Sequence, residues 1–343
     1  MVKGRQLIVL IAAAILLIAV VTFFVYVQVA THMQSDIKVT PSAVHPEQPF
    51  ALGETLVAVT PASPRAVQAT PMPGLAISLL TFGEAGSGAG QFMNAHALAV
   101  DPQGRIFIGE SGSGRVQFFD PYGHVLGEWM TGRQDSALNA MAVDPQTGSL
   151  FISESGILFR FVRPLVGEMA FRPLEGVVKG NIGDVDTGLD GSLLAAYNGD
   201  HLTLVDKNYH RLLDLAQPVQ TITGSAETGL RVTQDSSGDL YVLGVSNRVV
   251  LKYSVQGKFL ARIGAQGDGL GEFQAPSDVS ADSQGRVYVA DGSRVLIYNG
   301  SGKYLVVLGV EGEVVDLATD VQNQLYVLTS ASKAYMFNVI VKP

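Results

Sequence analysis

The chain has 343 residues, 47% hydrophobic and 16% charged, with 38 glycines, no cysteine and a formal net charge of -8. Such a composition excludes a disordered chain, and the length supports a sizeable core in one large domain or two smaller ones. Zero Cys removes disulfides, thiolate metal sites and Cys nucleophiles, and the acidic balance argues against non-specific nucleic-acid binding.

Leu7 opens and Ala30 closes a run of 24 residues without a charge, LIVLIAAAILLIAVVTFFVYVQVA. A helix of that length reaches about 36 Å, enough to cross a hydrocarbon core of about 30 Å. Lys3 and Arg5 precede it, so the positive-inside rule places residues 1–6 in the cytoplasm and everything after Ala30 outside. A cleaved signal peptide is the competing reading. It needs an apolar region of about 7–15 residues and small residues at −3 and −1. The run here is longer, and a cut after Ala30 would put Gln28 at −3. The expectation is therefore an uncleaved, single-pass transmembrane anchor.

Residues 31–74 form a Pro-rich linker, with seven of the 15 prolines of the chain. So much proline cannot hold a helix, and the segment reads as an extended spacer reaching at most on the order of 130 Å.

From residue 75 to the end the sequence repeats. Six segments share an apolar strand, a turn entry and a second apolar strand. They are HALAVDPQGRIFIGE from His96, NAMAVDPQTGSLFISE from Asn139, GDVDTGLDGSLLAAY from Gly183, LRVTQDSSGDLYVLG from Leu230, SDVSADSQGRVYVAD from Ser277 and VDLATDVQNQLYVLT from Val315. The turn entries Asp101, Asp144, Gly188, Asp235, Asp282 and Asp320 are 43, 44, 47, 47 and 38 residues apart. In Asp-x-x-Gly the carboxylate accepts a backbone N–H and Gly takes positive φ, closing a hairpin. Third strands follow (RVQFF from Arg115, RVVLKY from Arg248, RVLIY from Arg294), then a second turn and a fourth strand. Four short strands about every 44 residues, with no helical period, predict an all-β fold built as a six-bladed β-propeller. A β-sandwich lacks that period, and a β-helix repeats over far fewer residues. The last unit ends at its third strand. AISLLTF, from Ala76, precedes the first unit and is expected to supply the missing fourth strand and close the ring.

The glycine frame from Gly83 to Phe92 (GEAGSGAGQF) recurs from Gly264 to Phe273 (GAQGDGLGEF), each followed by a repeat unit. With R-V-x-x-[F/Y] in the third strand, this frame resembles the NHL repeat. The match is strongest over Phe92–Trp129 and Phe273–Leu308; the units from Asn139 and Gly183 depart from it, and the last has Asn323 in place of the turn Gly. The resemblance covers about three quarters of the chain. It implies a six-bladed propeller used as a binding platform, with RNA-binding, protein-binding, extracellular sensor, lyase and lactonase members. Fold alone does not choose among these.

Chemistry is sparse. No His-Glu-x-x-His, Gly-x-Ser-x-Gly or Walker-type motif occurs, and no catalytic residue is assigned. The glycine frames carry no Lys and open no helix, so they read as blade-to-blade loops rather than phosphate cradles. Asn299-Gly300-Ser301 fits a glycosylation sequon and, better, a hairpin turn. His96 starts an innermost strand and is a candidate for the channel mouth. A lyase that resembles this fold uses several channel histidines for zinc; the equivalent positions here are Asn139, Gly183, Leu230, Ser277 and Val315, which assemble no such set. One position later stand Ala97, Ala140, Asp184, Arg231, Asp278 and Asp316. Asp184, Arg231, Asp278 and Asp316 are therefore channel-mouth candidates. Two readings apply. Asp184, Asp278 and Asp316 hold a divalent cation such as Ca²⁺, or each accepts backbone N–H bonds from the next blade, with Arg231 as counter-charge. No cofactor is otherwise expected. Arg115, Arg248 and Arg294 are expected to be exposed and to pair with Glu110, Asp291 or nearby turns, and Trp129 to pack between blades.

The linker and anchor hold four basic and three acidic residues, so totals of 23 and 31 leave 19 basic and 28 acidic in the propeller. An acidic head repels phosphate backbones. The expected protein is a membrane-anchored, extracytoplasmic propeller. It binds a protein, peptide or glycan through its blade loops and no nucleic acid. A divalent-metal-dependent lactonase- or lyase-like enzyme is the alternative.

Overall fold

The computed structural model describes residues 76–131, 137–162, 170–174, 176–178 and 180–341. All of these fall in the second of two units, residues 61–343. The expected anchor and the whole of the linker lie outside the described residues, among which no helix is long and apolar enough to cross a membrane.

Six antiparallel four-stranded sheets follow one another. Blade 1 comprises Ala95–Val100, Ile106–Glu110, Arg115–Phe119 and Val125–Met130. Blade 2 comprises Leu138–Val143, Leu150–Glu154, Ile157–Val162 and Ala170–Pro173. Blade 3 runs through Ile182–Thr187, Leu193–Tyr197, His201–Val205 and Arg211–Ala216, and blade 4 through Leu230–Gln234, Leu240–Gly244, Val249–Tyr253 and Phe259–Ile263. Blade 5 is Pro276–Ala281, Arg286–Asp291, Arg294–Asn299 and Tyr304–Gly309. Blade 6 takes Val314–Thr319, Gln324–Thr329 and Lys333–Val339 from the end of the chain and its outer strand, Ala76–Phe82, from before blade 1. The inner strands touch in sequence around the ring, blade 6 against blade 1 included. This is a closed six-bladed β-propeller.

The turn chemistry is as the repeats require. Asp282 Oδ1 accepts from Gln284 N at 3.0 Å and Arg286 N at 2.9 Å, and Gly285 takes φ +79. A further bond was not anticipated. In blades 4, 5 and 6 the other carboxylate oxygen accepts from a tyrosine six residues on, Tyr241, Tyr288 and Tyr326, at 2.7 to 3.0 Å. Each tyrosine is buried, so its hydroxyl needs that partner. In blade 6 Asn323 replaces Gly at φ +63, which Asn tolerates.

The core is divided among the blade interfaces. Six clusters of buried side chains lie one per interface, such as Leu296, Val287 and Phe273 with Tyr241 and Leu243 of blade 4. The glycine frames serve these clusters. A Cβ on Gly264 would stand 2.4 Å from the Phe273 ring, and one on Gly83 2.3 Å from Phe92. Phe92 packs edge-on against Phe82 and Phe119, tying the closing strand to blade 1. Trp129 lies against Phe107, Phe118 and, in blade 2, Phe161.

Two expectations are corrected. A short helix, Pro218–Thr223, interrupts the otherwise all-β chain between blades 3 and 4. Pro218 suits a first helical turn, and Asp200 accepts from Val219 N and Gln220 N there. Arg115 is buried, not exposed: Glu110 meets it at 2.5 Å, and the carbonyls of Ser87 and Gln91 in the glycine frame accept from it. Arg294 pairs Asp291 at 2.6 Å as expected, whereas Arg248 sits in the turn before its strand with φ 49.

Phe273 is fully buried and fills the space its frame glycine leaves. Phe273→Ala should lower stability by about 3–5 kcal/mol, read by urea denaturation; a loss under about 1 kcal/mol would show that the frame is not part of the core.

Candidate functional site

The inner strands of all six blades surround a central cavity of about 180 Å³. Its wall is formed by the later residues of each inner strand and the turns that follow, from Leu98–Pro102 in blade 1 to Asp316–Val321 in blade 6. Asp184, Asp278 and Asp316 line it; His96 and Arg231 do not. The structure thus separates the predicted site residues into two groups.

A register break sets His96 apart. In blades 1, 2, 3, 5 and 6 the inner strand skips one residue against its neighbour, at His96, Asn139, Gly183, Ser277 and Val315. Such a bulge re-aims the side chains beside it. Blade 4 has no skip: Leu230 pairs Gly244 and Arg231 pairs Leu243. Arg231 reaches to both neighbouring blades, donating from Nη1 to Gly183 O at 3.0 Å and from Nε to Ser277 O at 3.2 Å. It therefore bridges blades 3, 4 and 5 beside the cavity.

Each predicted carboxylate accepts a backbone N–H from the next blade. Asp184 takes Val232 N at 2.7 Å, Asp278 takes Leu317 N at 2.7 Å and Asp316 takes Leu98 N at 2.6 Å. The last bond crosses the ring closure. Sequence reasoning missed a fourth carboxylate, Asp186, which accepts from Gln234 N and Thr233 Oγ1, both at 2.9 Å. It stands two residues after Asp184 on the same strand, and that spacing was the available signal. Among the described residues no group of three or more His, Cys, Asp or Glu is placed to hold a metal ion.

Three of these carboxyls, Asp184, Asp278 and Asp316, thus share one guanidinium. Burial pushes Asp184 up to about 7; the Arg231 charge opposes this and Asp278 adds to it. Burial pushes Asp186 to about 6, against the bonds from Gln234 and Thr187. Asp278 is raised chiefly by burial. Asp316 is raised well above the carboxylate range by burial, by the Asp278 charge and by its hydrogen bond with Asp278. Asp184, Asp278 and Asp316 raise Arg231 against its own desolvation. His96 is lowered by burial and then by Arg231, which keeps its ring neutral near pH 7.

The fold defines the class of protein, a six-bladed β-propeller with a carboxyl-lined centre. Residues 229–339, which span blades 4 to 6, match the family model DUF5128, described as a 6-bladed beta-propeller. No curated protein matches the chain. Among solved structures the chain is similar to one titled "Streptogramin B lyase structure", with 8% identity and a TM-score of 0.55 over 77% of this chain and 97% of that one. At that identity the likeness concerns the fold.

A carboxyl raised by folding favours the folded state while it stays protonated. That contribution is complete below the ordinary value of 3.8 and is lost as pH rises through about 7 for Asp184 and about 6 for Asp186. Stability to urea should therefore fall between pH 4 and pH 8, and Asp184→Asn, which keeps an oxygen for Val232 N, should flatten the fall. An unchanged pH profile in the variant would show that Asp184 is not raised.

Proposed function

We propose that the chain is a non-enzymatic binding or sensor module, an NHL-like propeller held outside the cytoplasmic membrane. Its partner is a protein, peptide or glycan met by the blade loops. The uncharged run from Leu7 to Ala30, with Lys3 and Arg5 before it, supports the anchor and the orientation. The acidic head supports a partner other than nucleic acid.

One observation carries the binding reading. The polar residues of the inner strands are engaged in joining blades, through Asp184, Asp186, Asp278, Asp316 and Arg231. A scaffold built that way is rigid at its centre and leaves variation to its loops. The second reading, a divalent-metal-dependent lactonase- or lyase-like enzyme, is favoured by the convergence of Asp184, Asp278 and Asp316 on one cavity. Ca²⁺ would be its first candidate ion, since carboxylate oxygens suit a hard cation.

Protease added to intact cells should degrade the propeller while leaving cytoplasmic proteins whole; a fully protected propeller would contradict the topology. Elemental analysis of purified protein, with melting curves in added Ca²⁺ and Zn²⁺, separates the two functions. The binding module predicts no stoichiometric metal and no shift. A bound equivalent would favour the enzyme.

A further inference from the structure

The six turns that follow the inner strands ring the mouth of the central cavity, through Pro102, Pro145, Leu189, Ser236, Ser283 and Val321. They share one face of the propeller with the turns between third and fourth strands. A Cβ on Gly104 would stand 3.2 Å from Pro121, and one on Gly191 3.4 Å from Lys207. The chain enters on this face too. Ala76 pairs Val339, whose carbonyl accepts from Arg286 at the end of the first turn of blade 5. Because the strands of each blade are antiparallel, the loops joining second to third strands, and one blade to the next, lie on the opposite face.

Charge divides between the two faces. Among the described residues the turns expose Lys207, Lys258 and Lys303 against one acid, Asp190. The opposite loops expose Glu84, Asp268, Glu311 and Glu313 and no Lys or Arg. Apolar groups stand on the lysine face as well. Tyr122, in the second turn of blade 1, is 70% exposed, and Ile340, after the last strand of blade 6, is 47% exposed. Leu189 and Val321 are exposed on the same face.

Both kinds of group suit a bilayer surface. A lysine near anionic headgroups is worth about five-fold in affinity. Tyrosine and aliphatic side chains settle at the boundary between headgroups and acyl chains. The net acidity of the propeller does not oppose this. An inner strand of six residues, such as Ala95–Val100, spans about 20 Å, and physiological salt screens charges beyond about 8 Å. The acids of the loop face are therefore out of range of a surface met by the turns.

We propose that the turn face docks on an anionic lipid bilayer, with Lys207, Lys258 and Lys303 at phosphate groups and Tyr122, Val321 and Ile340 at the acyl boundary. This rests on the membrane-anchored reading and gives the head an orientation within it. A flexible tether holds the head near the bilayer at an effective concentration of about millimolar order, so a weak surface is enough. The cavity mouth then faces lipid, and the acidic loop face is left free for the partner.

The chain has no cysteine, so Tyr122→Cys and Leu270→Cys each create a single labelling point. Leu270 is 88% exposed on the loop face and serves as the control. Each full-length variant carries an environment-sensitive fluorophore and is reconstituted into vesicles of phosphatidylglycerol and phosphatidylcholine with brominated acyl chains. The label at position 122 should be quenched about two-fold or more beyond the label at position 270, because an interfacial group lies about 5–10 Å into the headgroup boundary. Omitting phosphatidylglycerol or raising NaCl to about 1 M should remove that excess. Lys207→Gln, Lys258→Gln and Lys303→Gln together should remove it too, with the melting temperature unchanged. Equal quenching at both positions, in vesicles that keep the chain through an alkaline carbonate wash, would overturn the inference and leave the anchor standing. Stronger quenching at position 270 would overturn it by turning the loop face to the lipid. A chain that the wash strips from the vesicles would overturn the anchor and this inference together.

Discussion

Everything in this structure depends on ring closure. A blade has two apolar faces, and each of the six core clusters is made by two blades. None is complete without its neighbour, so an open array would leave two faces exposed. The chain meets this constraint by spending its first described strand, Ala76–Phe82, on its last blade, where it pairs Lys333–Val339 from Ala76 opposite Val339 to Phe82 opposite Ala334. Leu80 and Phe82 then pack into the interface with blade 1, and Phe92 and Phe119 meet the Phe82 ring. Closure is therefore hydrogen-bonded within blade 6, while between blades 6 and 1 an apolar cluster is joined by the bond from Leu98 N to Asp316.

The centre of the ring answers a second constraint. Inner strands converge there, and their amides face neighbouring blades without a ladder to join. Carboxylates at Asp184, Asp278 and Asp316 accept those amides. The cost is desolvation of acidic groups, which burial raises, with one partial remedy in Arg231 and another in the hydrogen bond between Asp278 and Asp316.

Much of this was legible in the sequence, because each repeat carries its own turn chemistry. The Asp turn entries, the fourth strand at Ala76 and the paired glycine frames follow from local residue types whose roles do not depend on distant neighbours. The inter-blade carboxylates were legible as one of two readings, because their position repeats. The rest depended on tertiary context. The bulges at His96, Asn139, Gly183, Ser277 and Val315 come from how two strands pair, and a single strand does not encode that. Arg115 read as exposed because arginine usually is, yet the glycine frame folds its carbonyls over it. The helix at Pro218–Thr223 is only six residues long, too short for a period to register. Asp186 was passed over because its position is occupied by Asp in blade 3 alone, so repetition did not mark it.

Native-state hydrogen exchange across Ala76–Phe82 tests the central claim most directly. If the ring is closed by this strand, its amides bonded to Lys333–Val339 exchange only on global unfolding, at the same free energy as the buried inner amides of Val232 and Leu317. Exchange of Ala76–Phe82 far faster than those inner amides would contradict the account, because the ring would then open at blade 6 while the other blades remained folded.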